Sequence, residues 1–369
     1  MATPVLQTID FETAKEMQFK LVEKIAIEFD GATFFNQGDV GVVPGLGRPA
    51  QTEKVENVLA AFFKTETCAL VRGAGTGSIR ETLASLLHAG EPLFMHTSPI
   101  YKTTNTTIDM LGLAPIFVDY NDLDALADAL RENGNCNVFY VQHSRQKPDD
   151  HYHLPDVIRL VKETRPDVKI VVDDNYTVFK VGKIGTELGA DYSTFSGFKL
   201  LGPAGIGIVV GKKEVISEIR KRNYSGGGQV QGYEAMELLR SLVTAPVLIA
   251  VQNEQTARLN RMLNDGAIPQ VKKSYITNSQ SKNVIIELDE PIAEKVIAAS
   301  EKYGAAIYPV GAESRFEILP MIYRVSGSFI DSNPELQEIG IRINPMRAGA
   351  ELVVNILKKS IHDVEQKAE

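Results

Sequence analysis

The chain has 369 residues, 44% of them hydrophobic and 23% charged, which is globular material for one large domain and a smaller one. Its formal net charge of -8, with no long basic run, argues against nucleic acid as a partner, because phosphate contacts need clustered lysine and arginine. Two cysteines, Cys68 and Cys136, without CxxC spacing, fit a reducing compartment; with no basic-then-apolar leader and no apolar window of about 18 residues, a cytoplasmic protein without membrane association is expected.

From about residue 53 short apolar runs alternate with stretches of helical period. Residues 67–71, 93–95, 115–118, 138–141 and 169–172 read as strands, and 78–88, 102–111, 123–132 and 156–164 as the helices between them. That alternation predicts an α/β fold, a mainly parallel sheet covered on both faces. Residues 192–195 and 206–210 follow with no long helix between them, which predicts a local antiparallel pair and makes the sheet mixed. A long helix over 233–263 then crosses to a smaller α+β unit with strands at 283–288, 305–308, 323–325 and 341–343 and helices at 292–302 and 350–362. The expected organisation is an N-terminal segment, 1–45, a large domain, 46–255, and a small C-terminal domain, 256–369. No low-complexity segment or internal repeat interrupts it.

The first candidate site is Val71-Arg72-Gly73-Ala74-Gly75-Thr76-Gly77-Ser78, which leaves a strand and opens a helix. Glycines there let a backbone approach a ligand, and free N–H groups at a helix start bind phosphate. The spacing is GxGxG, not the GxGxxG of dinucleotide sites, and the acid that should hold a ribose is missing after the next strand, which ends at His96-Thr97-Ser98. Taken alone, the segment reads equally as a tight turn. Tyr101 opens the next helix and could stack on a planar ring, although an aromatic there is more often core. His151-Tyr152-His153 offers two metal ligands, too few for a site, so no metal is expected.

Asp173, in Val172-Asp173-Asp174-Asn175-Tyr176, ends an apolar run, and Lys199 follows 26 positions later in Ser196-Gly197-Phe198-Lys199-Leu200-Leu201-Gly202-Pro203. A lone lysine is usually a solvated charge and an aspartate at a strand end is usually a cap. Together they meet the needs of pyridoxal phosphate (PLP): an amine to hold the aldehyde as a Schiff base, and a carboxylate to keep the ring nitrogen protonated. Phe198, Leu200 and Leu201 give the lysine apolar surroundings, which favour a lowered pKa.

With these residues the chain resembles the fold-type-I PLP enzymes of the aspartate aminotransferase superfamily over essentially its whole length. The Asp-x-x-Tyr of Asp173 and Tyr176, the Ser-x-x-Lys of Ser196 and Lys199, and the glycine-rich turn stand in the family's order. The resemblance implies that Asp173 pairs with the pyridine nitrogen, that Tyr176 and the His143 segment lie on the ring-hydroxyl side, and that Tyr101 stacks on the ring. It places the phosphate on Ser196 with Gly75, Thr76, Gly77 and Ser78, makes Lys199 the Schiff-base lysine, and puts a carboxylate-binding arginine at Arg342, in Ile341-Arg342-Ile343-Asn344, with Arg324 as rival. The segment 195–202 is similar to the selenocysteine synthase and aminosugar-acid ammonia-lyase branch, and the full pattern, with Tyr224-Ser225-Gly226-Gly227-Gly228-Gln229, to the YhfS-type group of aminotransferase-like proteins.

Three positions depart from the superfamily's patterns. Gly207 stands where aspartate aminotransferases carry a phosphate-binding arginine, Gln142-His143-Ser144-Arg145 replaces their Asn-Pro element, and Phe198 replaces the acidic residue of the selenocysteine synthase branch. The resulting expectation is an aminotransferase-like enzyme for a small amino compound, with β-elimination or ammonia-lyase chemistry as the alternative. An inert PLP-fold or nucleotide-binding module is a third possibility. A homodimer or higher homo-oligomer is expected, with Ser225 to Gln229 approaching the neighbour's phosphate.

Overall fold

The computed structural model describes residues 5–98, 101–144, 149–277, 282–308, 313–326 and 328–367; Arg145, quoted in a motif above, lies outside them. The chain opens with helices α1 (Phe11–Glu28), α2 (Gly31–Phe34) and α3 (Ala50–Phe62). Strands and helices then alternate: β1 (Thr67–Arg72), α4 (Ala74–Leu86), β2 (Pro92–His96), α5 (Lys102–Leu111), β3 (Ala114–Val118), α6 (Leu123–Glu132), β4 (Val138–Gln142), α7 (Leu154–Thr164), β5 (Lys169–Asp173), β6 (Tyr192–Ser196), β7 (Ile206–Gly211) and α8 (Lys213–Arg222). The long α9 (Gly232–Asn264) leads to β8 (Val271–Thr277), β9 (Asn283–Leu288), α10 (Ala293–Glu301), β10 (Met321–Arg324), α11 (Ser328–Ser332), α12 (Leu336–Ile339), β11 (Gly340–Asn344) and α13 (Ala350–Gln366).

Among the described residues the larger sheet has seven strands in the order β1-β7-β6-β5-β4-β2-β3. β7 runs antiparallel to both β1 and β6, the pairing expected from the short link between 195 and 206, and the remaining pairs are parallel. Successive side chains of a strand leave opposite faces, so a sheet covered twice needs near-continuous apolar runs. Val138 and Tyr140 accordingly pack on one side with Ile79 and Leu83 of α4 and Ile216 of α8. Phe139 and Val141 pack on the other with Leu126 of α6 and Val157 of α7. Farther along that second face, Cys68 and Leu70 of β1 meet α1, α3 and α9 through Leu21, Leu59 and Leu238.

The smaller sheet, order β10-β11-β9-β8, is antiparallel and packs on α10, α13 and the last turns of α9. α9 runs unbroken through residue 255 despite Pro246, so one helix serves both cores. Its start is tied to the first sheet by Glu234, which accepts from both terminal nitrogens of Arg72 at 2.6 Å. Residues 305–308 form only an isolated bridge, Ala306 to Met321, instead of the expected strand. Among the described residues no helix is long and apolar enough to cross a membrane.

Candidate active site

The carboxyl ends of β4, β5 and β6 meet the start of α4 around a cavity of about 180 Å³. Its wall includes Gly75, Thr76, Tyr101, Asp173, Tyr176, Ser196 and Lys199, a set that spans more than a hundred positions of the sequence. Ligands of open α/β sheets bind at such strand ends.

α4 begins at Ala74, so the glycine-rich segment is the helix's own first turn and not a loop before it. Gly73 caps it at φ +95°, a left-handed conformation that glycine takes without steric cost. The first amides of a helix have no acceptor within it; those of Gly73 and Ala74 donate to the Gly205 carbonyl at 2.9 and 3.1 Å, while Gly75 and Thr76 stand on the cavity wall. A Cβ on Gly75 would meet Asn175 Oδ1 at 2.3 Å, and one on Gly77 would meet the Arg72 carbonyl at 1.9 Å. Gly77 and Ser78 lie behind the wall: Ser78 is fully buried and its hydroxyl donates to the Gly75 carbonyl at 2.8 Å, bracing the turn. A hydroxyl that the sequence did not single out, Thr103, lines the cavity and is 2.8 Å from that of Thr76. A Cβ at Gly207 would sit 2.2 Å from the Ala74 carbonyl, which explains why no arginine occupies this position.

Asp173 is almost fully buried, and its position is fixed by neighbours. Oδ1 accepts from the Asn175 backbone N–H at 2.9 Å and from Asn175 Nδ2 at 2.7 Å, and Oδ2 accepts from the Tyr140 hydroxyl at 3.0 Å. Burial pushes its pKa up, against the lowering effects of those hydrogen bonds and the Lys199 charge. A carboxyl so placed gains from a cationic N–H partner brought into the cavity. Asn175 Oδ1 also accepts the Ser196 N–H at 3.1 Å, tying β5 to β6. The next carboxylate, Asp174, is turned to other work, 2.7 Å from His143 Nδ1 and accepting the Gly185 N–H at 3.0 Å. His143 is thus engaged by Asp174, and it is its neighbours Gln142 and Ser144 that line the cavity.

Lys199 follows β6 on a short 3-10 turn, Phe198–Leu200. The turn is wound tightly on α9: a Cβ at either Gly197 or Gly202 would strike Leu238 Cδ1 at 2.6 Å. The amine stands 3.8 Å from the centre of the Tyr176 ring and 5.6 Å from that of Tyr101. Burial outweighs the opposing charges of Asp173 and Glu313 and lowers its pKa to about 8, which brings the nucleophilic free amine into reach near neutral pH. Arg342 on β11 is buried, with its guanidinium 5.7 Å from the Tyr323 ring and 5.9 Å from that of Phe329, and its charge bears on Tyr176. Arg324, at the end of β10, is exposed.

A first-turn anion cradle closed to any side chain at Gly75, a buried carboxyl with a raised pKa and a desolvated lysine between two tyrosines make a donor set that fits PLP. Residues 46–285 match the model for Cys/Met metabolism PLP-dependent enzymes. The chain belongs to that family. Residues 257–357 match the YhfS-like C-terminal domain. Over 364 residues the chain is 48% identical to the protein YhfS of Escherichia coli (strain K12), described as uncharacterized, covering 99% of this chain and 100% of that one. The crystal structure of the pyridoxal-5'-phosphate dependent protein YhfS from Escherichia coli superposes with a TM-score of 0.96, covering 98% and 100% of the two chains at 48% identity. A putative cystathionine beta-lyase involved in aluminum resistance from Listeria monocytogenes shares the fold at 15% identity, with a TM-score of 0.71 and coverage of 95% and 94%. PLP dependence and the fold expected from the sequence are thereby established. The fold-type-I PLP reading and the likeness to the YhfS-type group hold within the Cys/Met family, and neither an aminotransferase nor the selenocysteine synthase branch is singled out.

Proposed function

We propose that this protein is a lyase for a small amino acid that carries a leaving group on its side chain, with sulfur-containing amino acids as the class to test first. The observation that carries this reading is the Cys/Met family match over 46–285, the stretch that supplies Lys199, Asp173 and the Gly75 turn. The Listeria protein described as a putative cystathionine beta-lyase supports it. Gly75, Thr76, Thr103 and Ser196 would hold the cofactor's phosphate, Tyr101 a face of its ring, and Asp173 the ring nitrogen. When bound, PLP supplies an aldehyde that condenses with amines and a ring that accepts an electron pair from the adjacent carbon. Lys199 Nζ moves the proton at the substrate's α-carbon, and its pKa of about 8 suits it to both directions of transfer. The Tyr176 ring, packed 3.8 Å from that amine, orients it. Arg342 grips the substrate carboxylate in two parallel bonds. Its replacement by glutamine raises KM more than it lowers kcat, whereas the exposed Arg324 tolerates the same change.

Transamination is the second reading, the one the sequence alone favours, because the same lysine, carboxylate and anion cradle serve both. Products distinguish the two. With cystathionine, cysteine or methionine as substrate, elimination releases ammonia, a 2-oxo acid and a thiol together, with no amino acceptor added. Amino transfer to an added 2-oxo acid without thiol release would replace the lyase reading, and turnover of neither kind would leave a binding module.

A further inference from the structure

A chain of buried polar groups lies behind the cavity wall, and the chemistry above makes no use of it. Glu313, on the loop between α10 and β10, is fully buried; Oε2 pairs with Lys180 Nζ and Oε1 accepts from Gln252 Nε2 of α9 at 3.0 Å. Gln252 Oε1 accepts from Arg347 Nη1, after β11, at 2.6 Å. Lys180 is 4% exposed and Gln252 1%, and with the half-buried Arg347 the set joins the turn after β5 to the C-terminal half of the chain. Glu313 has φ +74°, a left-handed conformation that a non-glycine residue keeps only where its surroundings impose it.

A buried ion pair is weak evidence for stability, since apolar side chains of similar size often serve as well or better. Its location is the more informative observation. Lys180 Nζ stands 5.5 Å from the centre of the Tyr176 ring, the same ring that Lys199 Nζ approaches to 3.8 Å. The loop that carries Glu313 also lays Phe316 against Phe198, the residue before Lys199, with ring centres 6.2 Å apart, and pairs Arg315 with Glu237 of α9.

We propose that Glu313 is a positioning residue, which neutralises Lys180 beside Tyr176, fixes the 313–319 loop against Phe198, and so sets the electrostatic surroundings of the Lys199 amine from outside the cavity. The inference rests on the reading of Lys199 as the reacting amine. The groups that bear on it are Asp173 at the end of β5, Tyr101 at the start of α5, Tyr176 and Lys180 on the turn after β5, and Glu313 on the loop. One step farther out, Arg342 and Tyr323 act on Tyr176, and Arg347 acts on Lys180. At Lys199 the charge of Glu313 raises the pKa and that of Lys180 lowers it, so removing either partner leaves the other unopposed.

Competitive acetylation of the full chain stripped of cofactor, quantified lysine by lysine across the neutral to alkaline range, reads the titration of Lys199 without turnover. In Glu313→Gln the Lys199 midpoint falls by roughly one pH unit, the order that a lone charge about 10 Å away produces at an effective dielectric of about 20. In Lys180→Met it rises, and in the double variant it returns close to the wild-type value. A purely structural pair would move the two single variants in the same direction or not at all, and either result overturns the proposal. Should a single variant unfold, seen as near-uniform labelling of all lysines, the double variant decides: a Lys199 midpoint away from wild type sinks the idea. Because neither substrate nor bound cofactor enters the measurement, failure of the lyase reading leaves this test intact.

Discussion

Lys199 and Asp173 are the residues whose chemistry the fold alters most directly, one by lowering the affinity of an amine for its proton and the other by raising that of a carboxyl. An unfolded lysine keeps its proton to about pH 10.4, whereas folded Lys199 yields it at about 8. Between those values the unfolded chain binds the extra proton, so folding stability rises with pH across the window. Urea denaturation of cofactor-free wild type against Lys199→Met should show the wild type gaining on the variant by roughly 2 kcal/mol from pH 8 to 10; a constant difference would contradict the desolvated lysine. For the carboxyl, Asp173→Ala retains part of the cofactor through the anion cradle but loses turnover steeply, and near-normal turnover would mean that another group serves the ring nitrogen. Both residues were legible because each sits in a local motif at a strand end. Asn175, Tyr140 and Thr103 were not singled out, since their roles come from register and packing: Asn175 bonds both Asp173 and Ser196 only because β5 and β6 are neighbours.

The strands and helices around the cavity follow their apolar patterns closely; α5 and α6 have the residues expected of them, 102–111 and 123–132. Of the elements that the sequence did not announce, α1 and α3 bury Leu21 and Leu59 in the core, whereas α8 and β8 are polar or peripheral. α8 carries Lys213, Arg220, Lys221 and Arg222 around a narrow stripe of Val215, Ile216 and Ile219, and β8 is an edge strand with Lys272 and Lys273 exposed, a charge pattern that reads as loop. The start of α4 was placed too late because Ala-Gly-Thr-Gly is a poor helix by propensity; the close approach of Asn175 to Gly75 and of the Arg72 carbonyl to Gly77 explains its glycines. Gly75→Ala tests that account. Its methyl would lie 2.3 Å from Asn175 Oδ1, so PLP affinity should drop at least tenfold in a fluorescence titration, with a stability loss of about 1–3 kcal/mol. Unchanged affinity would show that the turn is not the phosphate cradle.

At the scale of the whole molecule, α9 joins the two sheets and the Lys180–Glu313 pair connects positions 133 residues apart. Contacts of that range have no local signature, and so the second layer behind Tyr176 was not legible in the sequence. The Tyr224–Gln229 segment folds onto its own chain, Gln229 Nε2 donating to the Gly47 carbonyl at 2.7 Å, while Tyr224 is 68% exposed. We expect this exposed face to meet a second copy, so that sedimentation of the PLP-bound protein gives a dimer or a multiple of it; a fully active monomer at micromolar concentration would remove the shared site. The central claim, that Lys199 is the amine that holds PLP, is tested most directly by reducing the PLP-supplied protein with borohydride and mapping the peptides. A pyridoxyl group on Lys199 alone is the predicted result, and labelling of Lys180, of another lysine, or of none would contradict it.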